Sequence, residues 1–200
     1  MLQKVSTYVS VVVTAFLLLS SSLSIAQDSE KVWAVGMNYH NLHGGSKLGY
    51  DGLNISIERT INDHLSTIIT GSYFFEQDIN RSGFGYSDDF TTTAKYIAIQ
   101  LKADLFSLEF FDFYGKTGVS HYFKNLKGIN SRTNDWPPFT QTLEYDRNYY
   151  DTGFDLGFGF EIQHKIIFIT EVSLGTIVRD RDISLDYLNI LTGIKIPLKN

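Results

Sequence analysis

Residues 149–177 alternate between two kinds of side chain, and this alternation constrains the fold more than any other feature. The first half, YYDTGFDLGFGFEI, places aromatic or aliphatic side chains at almost every second position, with mostly glycine or a carboxylate between them. Successive side chains of a β-strand point to opposite faces, so a period of two predicts a strand with one apolar face. The pattern resumes after Gln163-His164-Lys165, which predicts two strands joined by a short turn.

Six further segments show the same alternation, so the sequence predicts eight strands in all. Their bounds are residues 32–40, 52–60, 65–75, 94–105, 109–123 and 184–198. The third segment is ambiguous because Ile68 and Phe74 interrupt its polar face. Helical periodicity is nearly absent after residue 26, which indicates an all-β chain.

The connections between the predicted strands alternate between short and long. The long ones are residues 41–51, 76–93 and 124–148, and short ones separate them. In an up-and-down sheet this places the three long connections at one end. Long loops without secondary structure are uncommon in compact domains unless they are functional, so we expect external loops with a role of their own.

Residues 1–26 predict a cleaved secretory signal peptide. Lys4 is the only charged residue there, and residues 11–19 form a short apolar core before a serine-rich stretch. Small residues at Ser24 and Ala26 suit cleavage after Ala26, which leaves residues 27–200 as one mature domain. The apolar run is short for a helix that must cross about 30 Å of hydrocarbon, which disfavours a membrane anchor.

Composition narrows the class of protein further. The chain has no cysteine, so neither disulfides nor a lipid-bearing cysteine is expected. Its 22 acidic and 17 basic residues give a net charge of −5, which argues against a nucleic-acid partner because such a partner requires a basic face. After residue 26 no apolar run approaches the length of a membrane-spanning helix.

The polar faces of the predicted strands carry charges of both signs beside glycines. The interior of an eight-stranded barrel is just wide enough to be filled by side chains, and an unpaired charge there is costly. We therefore expect a paired charge network inside a filled lumen. Its predicted members are Glu58, Lys102, Asp104, Lys116, Asp155, Glu161, Glu171 and Lys195.

The opposite faces are apolar, and aromatic residues cluster near the predicted strand ends. The aromatic residues are Trp33, Tyr39, Tyr73, Phe75, Phe110, Phe111, Phe113, Phe123, Tyr149 and Tyr150. This distribution is typical of a barrel whose apolar face meets lipid and whose aromatic girdles lie at the two interfaces. A soluble lipocalin-like barrel, with the faces inverted and an apolar ligand inside, is the alternative that alternation alone leaves open.

On these strands and faces the chain resembles the eight-stranded outer-membrane barrels of Gram-negative bacteria, the group around the OmpA membrane domain and OmpX. It is similar in character to the small outer-membrane barrels common in Bacteroidetes. The resemblance covers residues 32–198 and rests on the strand pattern. It implies an eight-stranded antiparallel up-and-down transmembrane β-barrel, with short turns in the periplasm and long loops outside the cell.

The resemblance also implies partners. These are outer-membrane lipid, lipopolysaccharide, the barrel-assembly machinery and an extracellular partner bound by the loops. One departure concerns assembly, because such barrels often end on an aromatic residue that the machinery recognises. This chain ends GIKIPLKN, with Leu198 in place of a terminal aromatic residue.

Some small outer-membrane barrels modify lipid A, so the sequence must also be weighed as that of an enzyme. Ser120 and His121 are a close serine–histidine pair in a predicted strand, but neighbouring residues of a strand point to opposite faces and cannot act together. We therefore expect no catalytic, cofactor or metal site, and a lipid A-modifying enzyme remains the alternative.

The third long connection contains Trp136-Pro137-Pro138-Phe139, a stiff aromatic segment. Exposed aromatic side chains on a rigid segment can anchor a partner, so Trp136 and Phe139 are the candidate binding residues of the loops. The expected function is a non-enzymatic barrel that supports the envelope or acts in binding and adhesion.

Overall fold

The computed structural model describes residues 32–44, 49–135, 138–179 and 182–198. These residues form eight β-strands in chain order: β1 (Trp33–Gly44), β2 (Gly49–Asn62), β3 (Leu65–Gly83), β4 (Tyr86–Leu108), β5 (Phe111–Asp135), β6 (Pro138–Ile162), β7 (Ile167–Arg179) and β8 (Asp182–Leu198). Among the described residues no helix has the length and apolar character needed to cross a membrane.

Each strand pairs antiparallel with its chain neighbours, and β1 pairs with β8 to close the barrel. The closing register runs from Trp33 opposite Leu198 to Gly44 opposite Tyr187. Closure leaves the barrel itself without an exposed strand edge. We call the end with the short β2–β3, β4–β5 and β6–β7 connections the turn end, and the opposite end the loop end. The predicted eight-stranded up-and-down fold is confirmed.

Side chains alternate strictly between the lumen and the outer surface. On β6, Phe154, Leu156 and Phe158 are 42%, 55% and 62% exposed, whereas Asp155 between them is 1% exposed. The same parity on β2 exposes Leu53, Ile55 and Ile57 and buries Asn54. Most inward side chains are thus polar and the outward ones of the barrel are apolar, the arrangement of a membrane barrel and the opposite of the lipocalin-like alternative.

Aromatic side chains surround both ends of the apolar surface. Trp33, Phe110 and Phe111 are exposed near the turn end, and Tyr39 and Tyr73 are exposed near the loop end. This is the position of aromatic girdles at membrane interfaces.

The extent of all three predicted long loops is wrong, because residues 76–93 and 124–148 consist mainly of paired strands and residues 41–43 pair with residues 49–51. The upper parts of β3, β4, β5 and β6 continue in register past the loop end of the barrel. We call this four-stranded extension the wall; it comprises residues 77–83, 86–93, 124–135 and 138–149. Both faces of the wall carry polar residues, so the apolar–polar alternation that marks the barrel strands is missing there.

The wall stands on one side of the barrel only. The β1–β2 pairing ends at His43 opposite Gly49, and the β7–β8 pairing ends at Arg179 opposite Asp182. On the other side β5 and β6 stay paired as far as Asp135 opposite Pro138. A register shift in β3 between Phe74 and Gln77 marks the point where the wall leaves the barrel, in keeping with the tendency of bulges to occur at barrel rims.

Candidate functional site: the filled lumen and the wall

Four charged side chains form a cluster in the lumen near the turn end. Lys195 Nζ lies 2.7 and 2.8 Å from the two carboxylate oxygens of Glu161 and 2.9 Å from Glu58 Oε2. Lys102 Nζ lies 2.6 Å from Glu161 Oε1 and 3.4 Å from Glu58 Oε1. Two ammonium groups and two carboxylates therefore balance one another among buried side chains.

The other predicted network residues occupy separate positions. Lys116 pairs with Glu171 farther along the lumen, and its Nζ also donates to Gln100 Oε1 at 3.0 Å. Asp155 accepts hydrogen bonds from Tyr96 Oη at 2.5 Å and Ser120 Oγ at 3.0 Å. These side chains are buried and continue the polar filling of the barrel.

Asp104 differs from the other seven predicted network residues. Its side chain is 37% exposed, and its carboxylate lies 3.7 Å from Lys102 Nζ. It sits at the turn-end rim, next to the register shift between Asp104 and Phe106. Asp104 is thus the solvent-exposed margin of the four-residue charge cluster.

The loop-end part of the lumen contains a cluster of apolar and aromatic side chains, which the sequence did not predict. We call this cluster the plug: Leu42, Tyr50, Phe74, Ala94, Tyr96, Ala98 and Tyr122. Phe74 is fully buried, with its ring centroid 6.1 Å from that of Tyr50. Phe74 and Ile68, which interrupt the polar pattern of β3 in the sequence, both point into the barrel and are buried. The lumen is therefore filled with side chains near both ends.

A serine–histidine–asparagine chain lies beside the plug, and sequence reasoning missed it. His40 Nδ1 is 2.6 Å from Ser72 Oγ, and His40 Nε2 is 3.1 Å from Asn189 Oδ1. The three residues resemble a catalytic triad in connectivity. However, all three are buried, and the rings of Phe74 and Tyr96 pack against His40 at 4.8 and 5.4 Å. The chain is enclosed by the lumen filling, a position suited to satisfying buried polar groups.

Ser120 and His121 lie on opposite faces of β5. Ser120 points into the lumen towards Asp155, whereas His121 points outwards, with Nδ1 2.6 Å from Thr152 Oγ1. Within the described ranges, no group of three or more histidine or acidic side chains is placed to hold a metal ion.

A hydrogen bond across the wall fixes its inner face, which looks over the barrel axis. Tyr145 Oη on β6 donates to Asp88 Oδ1 on β4 at 2.8 Å, reaching over β5. Gly128 of β5 lies between β4 and β6, opposite Phe90 of β4 and Tyr145 of β6. A Cβ at Gly128 would collide with the Asp89 carbonyl oxygen and with Phe90, so glycine allows this close approach. Burial and the hydrogen bond to Asp88 raise the pKa of Tyr145 to about 12.

The two faces of the wall carry opposite charge. The inner face presents four cations and one carboxylate: Arg81, Lys124, Arg132, Arg147 and Asp88. The outer face presents four carboxylates and one cation: Asp78, Asp89, Glu144, Asp146 and Lys127. The wall is therefore basic on the side above the barrel mouth and acidic on the side turned away from it.

The two predicted loop-binding residues are not equally defined. Trp136 lies outside the described residues. Phe139 belongs to β6 at the tip of the wall, where its backbone is opposite Asn134 of β5. The residue that begins β6 at this tip is Pro138, opposite Asp135.

Solved structures with the same fold are outer-membrane proteins. A major outer membrane protein from Thermus thermophilus has a TM-score of 0.58 at 7% identity, covering 85% of this chain and 100% of that chain. The N-terminal β-barrel domain of Pseudomonas aeruginosa OprF gives 0.52 at 10% identity, covering 84% and 100%. Neisserial surface protein A gives 0.51 at 9% identity, covering 84% and 97%.

At these identities the likeness shows the fold alone. No family model matches the sequence, and no curated protein matches it. The chain shares the architecture of the small eight-stranded outer-membrane barrels, as the alternation of the sequence predicts.

Proposed function

We propose that this protein is a non-enzymatic integral outer-membrane barrel that acts by binding partners through its wall. The observation that carries this proposal is the contrast between the two parts of the molecule. The barrel is filled at both ends, whereas the wall extends beyond it with two polar, largely exposed faces. A filled barrel offers a membrane anchor, and an exposed sheet offers a contact surface.

The proposed orientation places the turn end in the periplasm and the wall outside the cell. The signal peptide predicted over residues 1–26 supports export, and short periplasmic turns with longer outer segments are usual for such barrels. In that orientation the apolar belt contacts outer-membrane lipid, and lipopolysaccharide surrounds the base of the wall. Insertion would then depend on the barrel-assembly machinery.

The described part of the barrel supports binding better than lipid A modification. His40, Ser72 and Asn189 are enclosed, and Ser120 and His121 point to opposite faces. A lipid substrate would have to reach its nucleophile from the outer surface of the barrel.

A variant without the wall tests the proposal. Gln77 lies opposite Thr92, and Asn125 lies opposite Asn148, so each pair can be closed by an Asn-Gly turn in place of the residues between them. We expect the trimmed protein to fold and insert, because the barrel register is unchanged. Cells that display it should lose attachment to surfaces or other cells that the full-length protein supports.

Two controls are needed to interpret a loss of attachment. Native mobility of the unheated trimmed protein on an SDS gel establishes that the barrel has folded. Mass spectrometry of lipid A from cells with and without the protein addresses the enzymatic alternative. Unchanged attachment by the trimmed protein, or a change in lipid A acylation that requires the protein, contradicts the proposal.

A further inference from the structure

We propose that the inner face of the wall binds a linear anionic polysaccharide. This inference rests on the proposed function of the wall and specifies the chemistry of its partner. It depends on where the wall places its cations, how those cations are held, and which surface they face.

The cations of the inner face lie at successive levels along the wall. Arg132 is near the tip, and Lys124 is near the barrel rim on the same strand. Arg147 is opposite Leu126 between them, and Arg81 is opposite Asp88 nearer the tip. Eight residues of strand separate the levels of Arg132 and Lys124, which is about 27 Å at roughly 3.4 Å per residue. This row suits a polymer whose charges repeat along its length better than a single small anion.

Aromatic rings hold three of these cations. Arg81 Cζ lies 5.3 Å from the centroid of the Phe90 ring, and Arg147 Cζ lies 5.4 Å from that of Tyr145. Lys124 Nζ lies 5.5 Å from the centroid of Tyr50 at the rim. A guanidinium stacked on a ring keeps its edge of N–H donors free for a carboxylate, sulfate or phosphate. The side chains are thus ordered in advance and still able to bind.

These cations have no anionic partner of their own among the described residues. None of Arg81, Arg132 and Arg147 takes part in a salt bridge there, whereas the lumen lysines are all paired. The one carboxylate of the inner face, Asp88, already accepts the hydrogen bond from Tyr145. The positive charge of the inner face is therefore available to a ligand.

The acidic outer face of the wall repels anionic ligands, so such ligands are expected on the inner face only. In the proposed orientation the outer face looks sideways over the surrounding lipopolysaccharide, while the basic inner face looks over the barrel mouth. The phosphates of the surrounding membrane thus lie beside the acidic outer face, which repels them. A polymer arriving from the medium reaches the basic side.

Exposed tyrosines favour a polysaccharide over an acidic peptide. Tyr86 is 49% exposed and Tyr149 is 41% exposed, and both lie on the inner face beside the cations. A tyrosine offers an apolar ring with a polar tip. A pyranose ring has a matching apolar C–H face and a polar hydroxyl rim. Charged groups and sugar rings of one polymer would then find their partners on the same surface.

Binding of labelled polygalacturonate to the purified full mature barrel in lipid nanodiscs tests the proposal. The informative variant is Arg81→Gln/Arg132→Gln/Arg147→Gln. Its matched control is Lys95→Gln/Lys127→Gln/Lys165→Gln, which removes the same charge from exposed sites off the inner face. We expect the first variant to raise Kd at least tenfold and the control to change it less than twofold, with native gel mobility for both.

Two comparison ligands show whether the protein recognises the charge and the sugar rings of the polymer. Neutral dextran should not bind, and poly-glutamate should bind more weakly than polygalacturonate. Equal loss in the control variant, equal binding of neutral dextran, or tighter binding of poly-glutamate overturns the proposal. If no anionic polysaccharide binds but the trimmed protein still loses attachment, the proposed function stands and this inference fails.

Discussion

Replacement of Lys195 by methionine tests whether the turn-end charge cluster holds the barrel together. Lys195 supplies three of the five close contacts between the two ammonium groups and the two carboxylates. Without it, Glu58 and Glu161 share Lys102 alone, and one negative charge is left uncompensated in the lumen. Removing one partner of a buried ion pair costs about 3–5 kcal/mol, so Lys195→Met should lower the free energy of unfolding by about that amount.

A second substitution separates charge balance from loss of packing. Glu58→Gln alone leaves two ammonium groups with one carboxylate and should also destabilise the barrel. The double variant Lys195→Met/Glu58→Gln retains the Lys102–Glu161 pair, joined at 2.6 Å, and is neutral again. The double variant should therefore lose less stability than the sum of the two single losses, with a coupling energy of about 0.5–3 kcal/mol.

Urea unfolding in phospholipid vesicles, followed by tryptophan fluorescence, measures all four proteins of this cycle. A loss below about 1 kcal/mol for Lys195→Met would show that water or rearrangement compensates the charge, since buried pairs cost more than that to break. A double variant that loses the sum of the two single losses would refute the charge-balance reasoning.

Three further predictions follow from the same structure. Leu156→Arg places a charge at mid-height on the outer surface and should cost about 2–4 kcal/mol in a bilayer, whereas Thr152→Arg near the loop end should cost about 0–1 kcal/mol; equal losses in vesicle unfolding would contradict a lipid-facing surface. Phe74→Ala removes a fully buried ring from the plug and should cost about 3–5 kcal/mol, far more than Phe75→Ala on the exposed face, in the same assay. Tyr145 should ionise with a pKa of about 12, which can be measured as the difference in tyrosinate absorbance between the wild type and Tyr145→Phe. Asp88→Asn should lower that pKa. Because folding favours the protonated phenol, its contribution to stability is present below the ordinary pKa of 10.0 and is lost as the pH rises through about 12; an unchanged Tyr145 pKa in Asp88→Asn would show that the hydrogen bond has no part in the shift.

The barrel could be predicted from the sequence because the two faces of each barrel strand lie in different environments. Phe154, Leu156 and Phe158 face one environment, and Asp155 and Gly157 face another, so the period of two is written into the sequence. The closed eight-stranded fold is confirmed on this basis. The third strand shows the limit, because Phe74 belongs inside the barrel despite being apolar.

The wall could not be predicted in this way. Water lies on both of its faces, so Asn125 and Lys127 alternate with Leu126 and Gly128 without a clear apolar stripe. Its strands are identified by their pairing, such as Lys127 opposite Asp146, and pairing partners are not visible in a single sequence. For the same reason the opposite charges of the two wall faces could not be predicted, because they appear only once the register assigns each residue to a face.

Contacts inside the lumen were also beyond the sequence. Alternation places Glu58, Lys102 and Lys195 on inward faces, but these residues are far apart in the chain and meet only when the barrel closes. His40 and Asn189 meet for the same reason, through the pairing of β1 with β8. The alternation of the sequence can thus indicate which side chains point into the lumen. Which of them contact one another depends on the strand register and on the position of each residue along the barrel axis.

The central claim is that the apolar surface of this barrel faces lipid, and refolding tests it most directly. Residues 27–200 would be refolded with and without detergent micelles, and each product run on an SDS gel both unheated and boiled. The account predicts a change in mobility on boiling that occurs only in the product refolded with micelles. A monodisperse β-rich protein in plain buffer, with the same mobility before and after boiling, would contradict it and place Phe154, Leu156 and Phe158 inside a soluble barrel.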